Sequence, residues 1–408
     1  MSYFLLQRTV AIQATAMAEF LPCFRQLGNC VRYSAIHGLR DTLRYVRQMG
    51  TFSSGTRQNS DQPDHWRDGR FFNPGAPAHG FSQLLRWILH RERGAWRRWI
   101  DAPRTGSLEP PPERVLGAEL RVTLVNHATF LIQSEELNIL TDPVWSHRVS
   151  PLTFAGPERH RAPGIAFTDL PPIDLIVLSH NHYDHLDLAT LRRLNACFRP
   201  EICCPLGVGR LLRRAGFATI HELDWGQSIR WRGKRLDCVR AQHFSARTPF
   251  DRDRTLWAGW VIGFDAGAVY FAGDSGFGPF FAEIAREFSP IRLAFLPIGA
   301  YKPEWFMGPI HMTPEEALEV HRILAPSVSV AMHYGTFALA DDGETEPVER
   351  LAAALGANPP ETPFLVLEHG VGHSIPTLGE ADFATGEASV ATDENGGMVA
   401  QSCLQTKG

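Results

Sequence analysis

The sequence predicts an α+β fold in which two β-sheets pack into a sandwich, with a helical appendage at the N-terminus. Three observations lead there. Short β-branched and aromatic runs, separated by turn signals, recur through the body of the chain. One of them, residues 175–178, ends directly in a dense set of metal-ligand residue types: LIVLSHNHYDHLD, residues 175–187. Three further residues, His243, Asp274 and His333, each follow a predicted strand as His180 does, which places them on a single rim of the sandwich.

The composition sets outer limits. The 408 residues carry 44% hydrophobic and 21% charged side chains, as a globular chain with a sizeable core does. A formal net charge of −4 argues against non-specific nucleic-acid binding. The seven cysteines are scattered, odd in number and without CxxC spacing; Cys203 and Cys204 are vicinal. They read as reduced thiols and point to a reducing compartment. Ala14-Thr15-Ala16 imitates a signal-peptidase site, but no basic residue precedes Arg8, and Gln7, Arg8 and Gln13 break the apolar stretch. An amphipathic or disordered leader is expected instead, and a cytoplasmic or peripheral-membrane location.

Four segments are expected in order. Residues 1–64 form an N-terminal extension: Phe20, Phe24, Leu27 and Val31, then Leu39, Leu43 and Val46, recur at helical spacing, followed by a polar linker over 53–64. Residues 65–114 open on an aromatic turn segment (Trp66, Phe71, Phe72, Asn73-Pro74) and continue into a helix expected over 81–100. That helix mixes Trp87, Trp96 and Trp99 with Arg86, Arg91, Arg93, Arg97 and Arg98. Such a mixture suits anionic lipid headgroups or, alternatively, a solvated basic face with tryptophans packed inward. Residues 115–375 form the catalytic body, and the acidic, glycine-rich stretch 376–408 reads as a disordered tail.

Within the body, strands are expected over 120–125, 130–132, 137–140 and 175–178, then 202–205, 229–231, 236–241, 257–264, 268–272, 293–298, 328–332 and finally 364–367. Helices are expected over 188–194 and 206–215, and from Thr313, whose pairing with Glu316 makes a capping box, to about residue 324. The long loop 146–172 is a candidate for function.

The chemistry follows from spacing. On extended backbone His180 and His182 point the same way, while Asp184 and His185, on the following turn, can address a second point nearby. The sequence therefore assigns two adjacent metal sites: His180, His182 and His243 around one ion, Asp184, His185 and His333 around the other, and Asp274 bridging. Nitrogen and oxygen donors without thiolate suit zinc and leave iron or manganese open. A hydroxide between two such ions exists at neutral pH and can hydrolyse an ester or phosphodiester. His127 and Asp142 read as residues that orient the ligands. Arg247 is a phosphate contact on charge alone.

HNHYDH at residues 180–185, followed by single ligands at His243, Asp274 and His333, resembles the metallo-β-lactamase superfamily. Further stretches resemble its N-acylphosphatidylethanolamine-hydrolysing phospholipase D family: LTDPVWSHRVSP (140–151), GPERHR (156–161), ELDW (222–225), FAGDSG (271–276), LPIGAYKPEWFM (296–307), HMTPEEA (311–317) and HYGTFALA (333–340). The likeness covers about residues 65–372. It implies a four-layered αββα sandwich with two zinc ions along one edge, Asp184 and Asp274 in the catalytic centre, and hydrolysis of N-acylphosphatidylethanolamines to N-acylethanolamines and phosphatidate. It also implies a phospholipid substrate met at a membrane surface. It places Tyr183, Ala246, His311 and Ala338 at the substrate, with His311 near the phosphate, and leaves a homodimer open. The chain departs from the pattern at Asn126, where glycine is expected, and at Phe244-Ser245-Ala246 after His243; both bear on substrate rather than on metal. The alternative is a hydrolase of the same fold acting on another phosphodiester or a lactone. A non-enzymatic metal-stabilised scaffold fits poorly with a complete ligand set.

Overall fold

The computed structural model describes residues 64–77, 80–101, 110–378, 390–392 and 398–400. The extension expected over 1–64 falls outside them apart from its last residue, as do its helices, its leader and its linker.

The described chain opens on a hairpin, β1 (Trp66–Arg67) and β2 (Arg70–Phe71), and a nine-residue helix α1 (Phe81–Leu89). The first large sheet begins with β3 (Leu120–Asn126), β4 (Thr129–Ser134), β5 (Leu137–Thr141) and β6 (Leu175–Val177). It is completed, after α2 (Leu188–Phe198), by β7 (Glu201–Pro205), and after α3 (Gly209–Arg214), by β8 (Ile220–Leu223). The second sheet takes β9 (Ser228–Trp231), β10 (Lys234–Val239), β11 (Gly259–Phe264) and β12 (Gly267–Phe271), then α4 (Phe280–Phe288) and β13 (Ile291–Pro297). After α5 (Glu304–Met307) and α6 (Pro314–Leu324) come β14 (Val328–Met332), α7 (Glu346–Ala357) and β15 (Phe364–Leu365). The chain then returns to the first sheet with β16 (Gly372–Ile375). Within the acidic tail, β17 (Val390–Thr392) pairs antiparallel with β18 (Met398–Ala400).

The two seven-stranded sheets have the orders β16-β3-β4-β5-β6-β7-β8 and β15-β14-β13-β12-β11-β10-β9. Alternation along each strand separates the layers. Leu120, Val122, Leu124, Phe130, Ile132, Ile139, Leu175 and Val177 face the second sheet, where they meet Trp260, Phe271 and Phe295. Their neighbours Val125, Leu131, Leu140, Ile176 and Leu178 point outward onto Leu191 and Leu194 of α2 and Leu212 of α3. On the far side Phe280, Phe281 and Ile284 of α4, with Leu318 and Val320 of α6, close the second sheet. The result is the expected αββα order.

Strand direction sets where the chemistry can sit. In the first sheet β5, β6, β7 and β8 run parallel. In the second, β12, β13 and β14 are parallel, and two antiparallel steps through β11 bring β10 into the same direction. The C-terminal ends of β10, β12 and β14 therefore emerge on one edge.

Several expectations need correction. The helix expected over 81–100 stops at Leu89, and residues 90–100 continue without helical structure. Gly94 lies against the Gly343 backbone so closely that an added Cβ would fall 2.3 Å from the Gly343 nitrogen. Arg91 pairs with Asp341 at 2.7 Å, Arg97 with Glu344 at 2.6 Å, and the Trp96 indole donates to the Asp342 carbonyl. These partners lie some 250 residues away in sequence, beyond any local pattern. Of the basic residues for which a lipid-facing or a solvated role was left open, Arg91 and Arg97 are thus committed to the protein. Phe364–Leu365 is not the final strand of the body, because β16 follows it. Strand β8 and helices α4 and α7 also arise where no element was expected. The Thr313–Glu316 capping box forms as expected.

Candidate metal centre

Loops leaving the strand ends bring the expected ligands together. His180, His182, Asp184 and His185 occupy the connection from β6 to α2; His243 follows β10, Asp274 follows β12, and His333 follows β14. All seven side chains are buried or nearly so. His333, at φ 64°, and Asp142, at φ 31°, hold left-handed backbone that a side chain disfavours, as does His127 at φ 46°. Strain of this kind persists where the surroundings fix the residue, and it gathers at functional sites.

The atoms fall into two groups. His180 Nε2 lies 2.7 Å from His182 Nδ1, which lies 3.2 Å from His243 Nε2. Each outer ring is oriented from behind: His243 Nδ1–H donates to the Ile310 carbonyl at 2.9 Å, and His180 Nδ1–H faces Ser179 Oγ at 2.9 Å. Both therefore turn an Nε2 lone pair inward. In the second group, Asp184 Oδ2 lies 3.3 Å from His185 Nε2 and 3.5 Å from His333 Nε2. Asp274 Oδ2 joins the two, lying 3.1 Å from His185, 3.0 Å from His333, 3.7 Å from His243 and 3.9 Å from His180. One carboxylate oxygen faces four imidazoles drawn from both groups, as a bridging position requires.

These donors fit metal ions. Three converging imidazole nitrogens with no proton donor between them repel one another unless a cation lies among them. Asp274 Oδ1 is buried without a hydrogen-bond partner, and His185 Nε2 and His333 Nε2 crowd the Asp274 carboxylate without a well-aligned hydrogen bond, an arrangement that is costly without an ion. His180, His182, His243 and the second group each form clusters whose ligand atoms could hold a metal.

The two groups differ in protonation. Burial, with the neighbouring imidazoles, holds His180 and His243 well below the ordinary histidine range and His182 at about 4. Burial opposes charge on His333 and His185 too, but Asp274 and Asp184 outweigh it, lifting His333 to about 9 and His185 well above its ordinary range. Asp184 and Asp274 sit well below the usual carboxylate range, since the facing histidines outweigh burial. Protons on His185 and His333 occupy the place a second cation would take.

Asp142, at the end of β5, accepts from His185 Nδ1 at 2.7 Å and from the Ser179 backbone N–H at 2.7 Å, and so orients His185. His127 Nε2 stands 3.1 Å from Asp184 Oδ2, close enough to join the second group's ligand cluster. Asn126 has no need of glycine: its φ is not positive, and its side chain donates to the Val144 carbonyl and faces the buried Arg159.

The centre opens into a cavity of about 1090 Å³. His311 and Ala246 line it, whereas Tyr183, Arg247 and Ala338 are not among its lining residues. The Arg247 guanidinium lies over the Tyr183 ring and donates to the Asn181 and Leu186 carbonyls. His311 packs against His243 and His333 at 4.9 and 5.2 Å between centroids, and burial lowers it to about 3. One cavity wall is apolar: Leu84 and Trp87 of α1 with Phe306, Met307, Ile310 and Leu339. Asn73 was legible only as a turn residue. It donates to the His243 carbonyl at 2.7 Å and accepts from the Trp257 indole, anchoring the first loop.

Comparison with known proteins agrees with this geometry. Residues 137–334 match the model of the β-lactamase superfamily domain. The chain is 39% identical over 317 residues to an uncharacterized protein of Mycobacterium tuberculosis, covering 75% of this chain and 83% of that one. It is 36% identical over 266 residues to N-acyl-phosphatidylethanolamine-hydrolyzing phospholipase D 1 of Caenorhabditis elegans, covering 62% of this chain and 74% of that enzyme. Among solved structures, the isothiocyanate hydrolase from Delia radicum gut bacteria superposes with a TM-score of 0.51 at 21% identity, over 63% of this chain and all of that one, a likeness of fold.

Proposed function

The chain belongs to the metallo-β-lactamase superfamily and is a metal-dependent hydrolase, and on that footing we propose that it is a zinc-dependent phosphodiesterase of phospholipase D type. Its substrates are N-acylphosphatidylethanolamines, cleaved to N-acylethanolamines and phosphatidate at a membrane surface. The observation that carries this proposal is the position of Asp274 Oδ2 between both histidine groups, lining a cavity that is also lined by Leu84, Trp87, Phe306, Met307, Ile310 and Leu339. The named likeness to the nematode phospholipase supports the substrate.

His180, His182 and His243 would hold one zinc ion, Asp184, His185 and His333 the other, and Asp274 both. A pair of divalent ions supplies Lewis acidity and acidifies coordinated water to near neutrality. The protein's own side chains do the remaining work. Asp142 and His127 fix the directions of His185 and Asp184. His311, kept neutral by burial, has a ring Nδ1 without a partner and lines the cavity beside His243. It can donate a hydrogen bond to a phosphoryl oxygen seated there. The apolar wall from Leu84 to Leu339 receives acyl chain and excludes water.

Delivery from a bilayer is supported by α1. Leu84 and Trp87 line the cavity, while Leu85, Ile88 and Leu89 are 45, 54 and 69% exposed. Arg86 lies over the half-exposed Trp305 ring at 4.7 Å. An exposed apolar face beside aromatic and basic residues suits the headgroup boundary. Among the described residues no helix is long and apolar enough to cross a membrane.

Hydrolysis of N-acylphosphatidylethanolamine in ¹⁸O-water tests the bond assignment. Label in phosphatidate, with unlabelled N-acylethanolamine, is expected for attack at phosphorus. Release of free fatty acid or diacylglycerol, or turnover of a lactone alone, would contradict the proposal.

A further inference from the structure

Besides its apolar residues, the cavity is lined by arginines that the chemistry described so far does not use. Arg67, Arg70 and Arg252 all line it. The Arg252 guanidinium stacks over Phe244 at 4.3 Å, and that ring packs against His182 at 4.4 Å, so one aromatic layer separates it from a metal-ligand residue. Arg70 Nη1 donates to the Arg252 carbonyl, and Arg67 lies over the Phe72 ring at 5.2 Å. Asp68 and Asp253 share the wall, and Asp253 pairs with Arg252 at 3.3 Å, leaving cationic charge in excess there.

The wall is held in place. Phe71 N–H donates to the Asp253 carbonyl at 2.7 Å, and Asn73 donates to the His243 carbonyl at 2.7 Å. The β1–β2 hairpin and the loop after β10 are thereby tied together, so the backbone positions that carry the three exposed arginines are held near one another. Planar guanidinium groups fixed in a concave wall match phosphate oxygens. The scissile diester is assigned to the metal centre, which leaves these arginines available to a different anion.

We propose that Arg67, Arg70 and Arg252 form a second anion site at the mouth of the cavity, binding the headgroup phosphate of an anionic phospholipid other than the one being cleaved. It rests on the lipid reading given above. A lipid source is favoured over free phosphate because the same cavity is walled by Leu84 and Trp87 of α1, and Leu85, Ile88 and Leu89 of that helix are exposed.

Co-sedimentation of the zinc-loaded full chain tests the site, using phosphatidylcholine vesicles and vesicles of equal parts phosphatidylcholine and phosphatidylglycerol. The wild type is expected to prefer the anionic vesicles. Arg67→Gln and Arg252→Gln should each weaken that binding about fivefold while leaving binding to neutral vesicles alone. Arg93→Gln, an equal loss of charge outside the cavity, serves as control; a loss as large as that of Arg252→Gln would overturn the site. So would saturable binding of free inorganic phosphate, lost in Arg252→Gln, together with no preference for the anionic vesicles, which would identify free phosphate as the ligand. Hydrolysis of N-acylphosphatidylethanolamine in neutral vesicles keeps the two proposals apart. Turnover there with no anionic preference overturns only the arginine site; an intact preference without turnover overturns only the substrate.

Discussion

The two halves of the metal centre are built from similar residues but solve opposite electrostatic problems. His180, His182 and His243 crowd three imidazoles together, with Asp274 Oδ2 3.9 Å from His180 and 3.7 Å from His243, and burial with mutual repulsion keeps them neutral. His185 and His333 face Asp184 and Asp274, and hold protons above their ordinary range. The first half would offer a metal ion ready lone pairs, whereas the second would have to give up protons to bind one. The difference teaches that a second ion and two protons are alternative ways of neutralising the same pair of carboxylates.

Removing the group common to both halves has the largest expected effect. Asp274→Asn should lower kcat/KM on a soluble diester on the order of a thousandfold and reduce bound metal, measured by kinetics and elemental analysis of one preparation. Single-half variants sharpen the contrast. His182→Ala and His333→Ala should each retain one ion; loss of both ions from either variant would break the division into halves.

A step further out, Asp142→Asn leaves every proposed ligand in place and removes only the group that orients His185. Metal affinity, measured by competition with a chelator, should fall about 10- to 100-fold, with the loss confined to the second half. Equal weakening of both ions would mean that Asp142 supports the loop as a whole.

The smallest effect separates the halves by pH in the metal-free protein. Where folding lowers a histidine pKa, as at His182, from 6.5 to about 4, the unfolded chain binds more protons between those values, so stability rises with pH over that window. Where folding raises it, as at His333, from 6.5 to about 9, the contribution is full below 6.5 and is lost as pH climbs through 9. Denaturant melts should therefore show greatest stability near pH 6.5 without metal, and a flatter profile with zinc bound. A monotonic profile in the metal-free protein would contradict the opposed protonation.

Much of this centre was legible before any coordinates. Residues 180–185 carry four ligand types on one turn, and the positions of His243, Asp274 and His333 after apolar runs placed them on one edge, where the parallel strands deliver them. Local spacing encodes coordination because metal ligands must converge within a few ångströms. Alternation in residues such as Leu120, Val122 and Leu124 marks a strand, whereas the αββα layering was implied by the resemblance to the metallo-β-lactamase superfamily. What escaped was long-range. Helix α1 ends at Leu89 because the chain beyond it is clamped to Asp341, Asp342 and Glu344, and nothing near Arg91 announces those partners. Arg247 drew attention through its charge, yet it serves the carbonyls of Asn181 and Leu186, while Arg252, five residues on, lines the cavity. Charge in a sequence does not say which way a loop will turn.

The most direct test is to titrate the chelator-stripped protein with zinc while following N-acylethanolamine release from N-acylphosphatidylethanolamine. If both halves act through the shared Asp274, activity stays near baseline through the first equivalent and rises with the second. Full activity at one equivalent, or none at two, would contradict a centre that works as a pair.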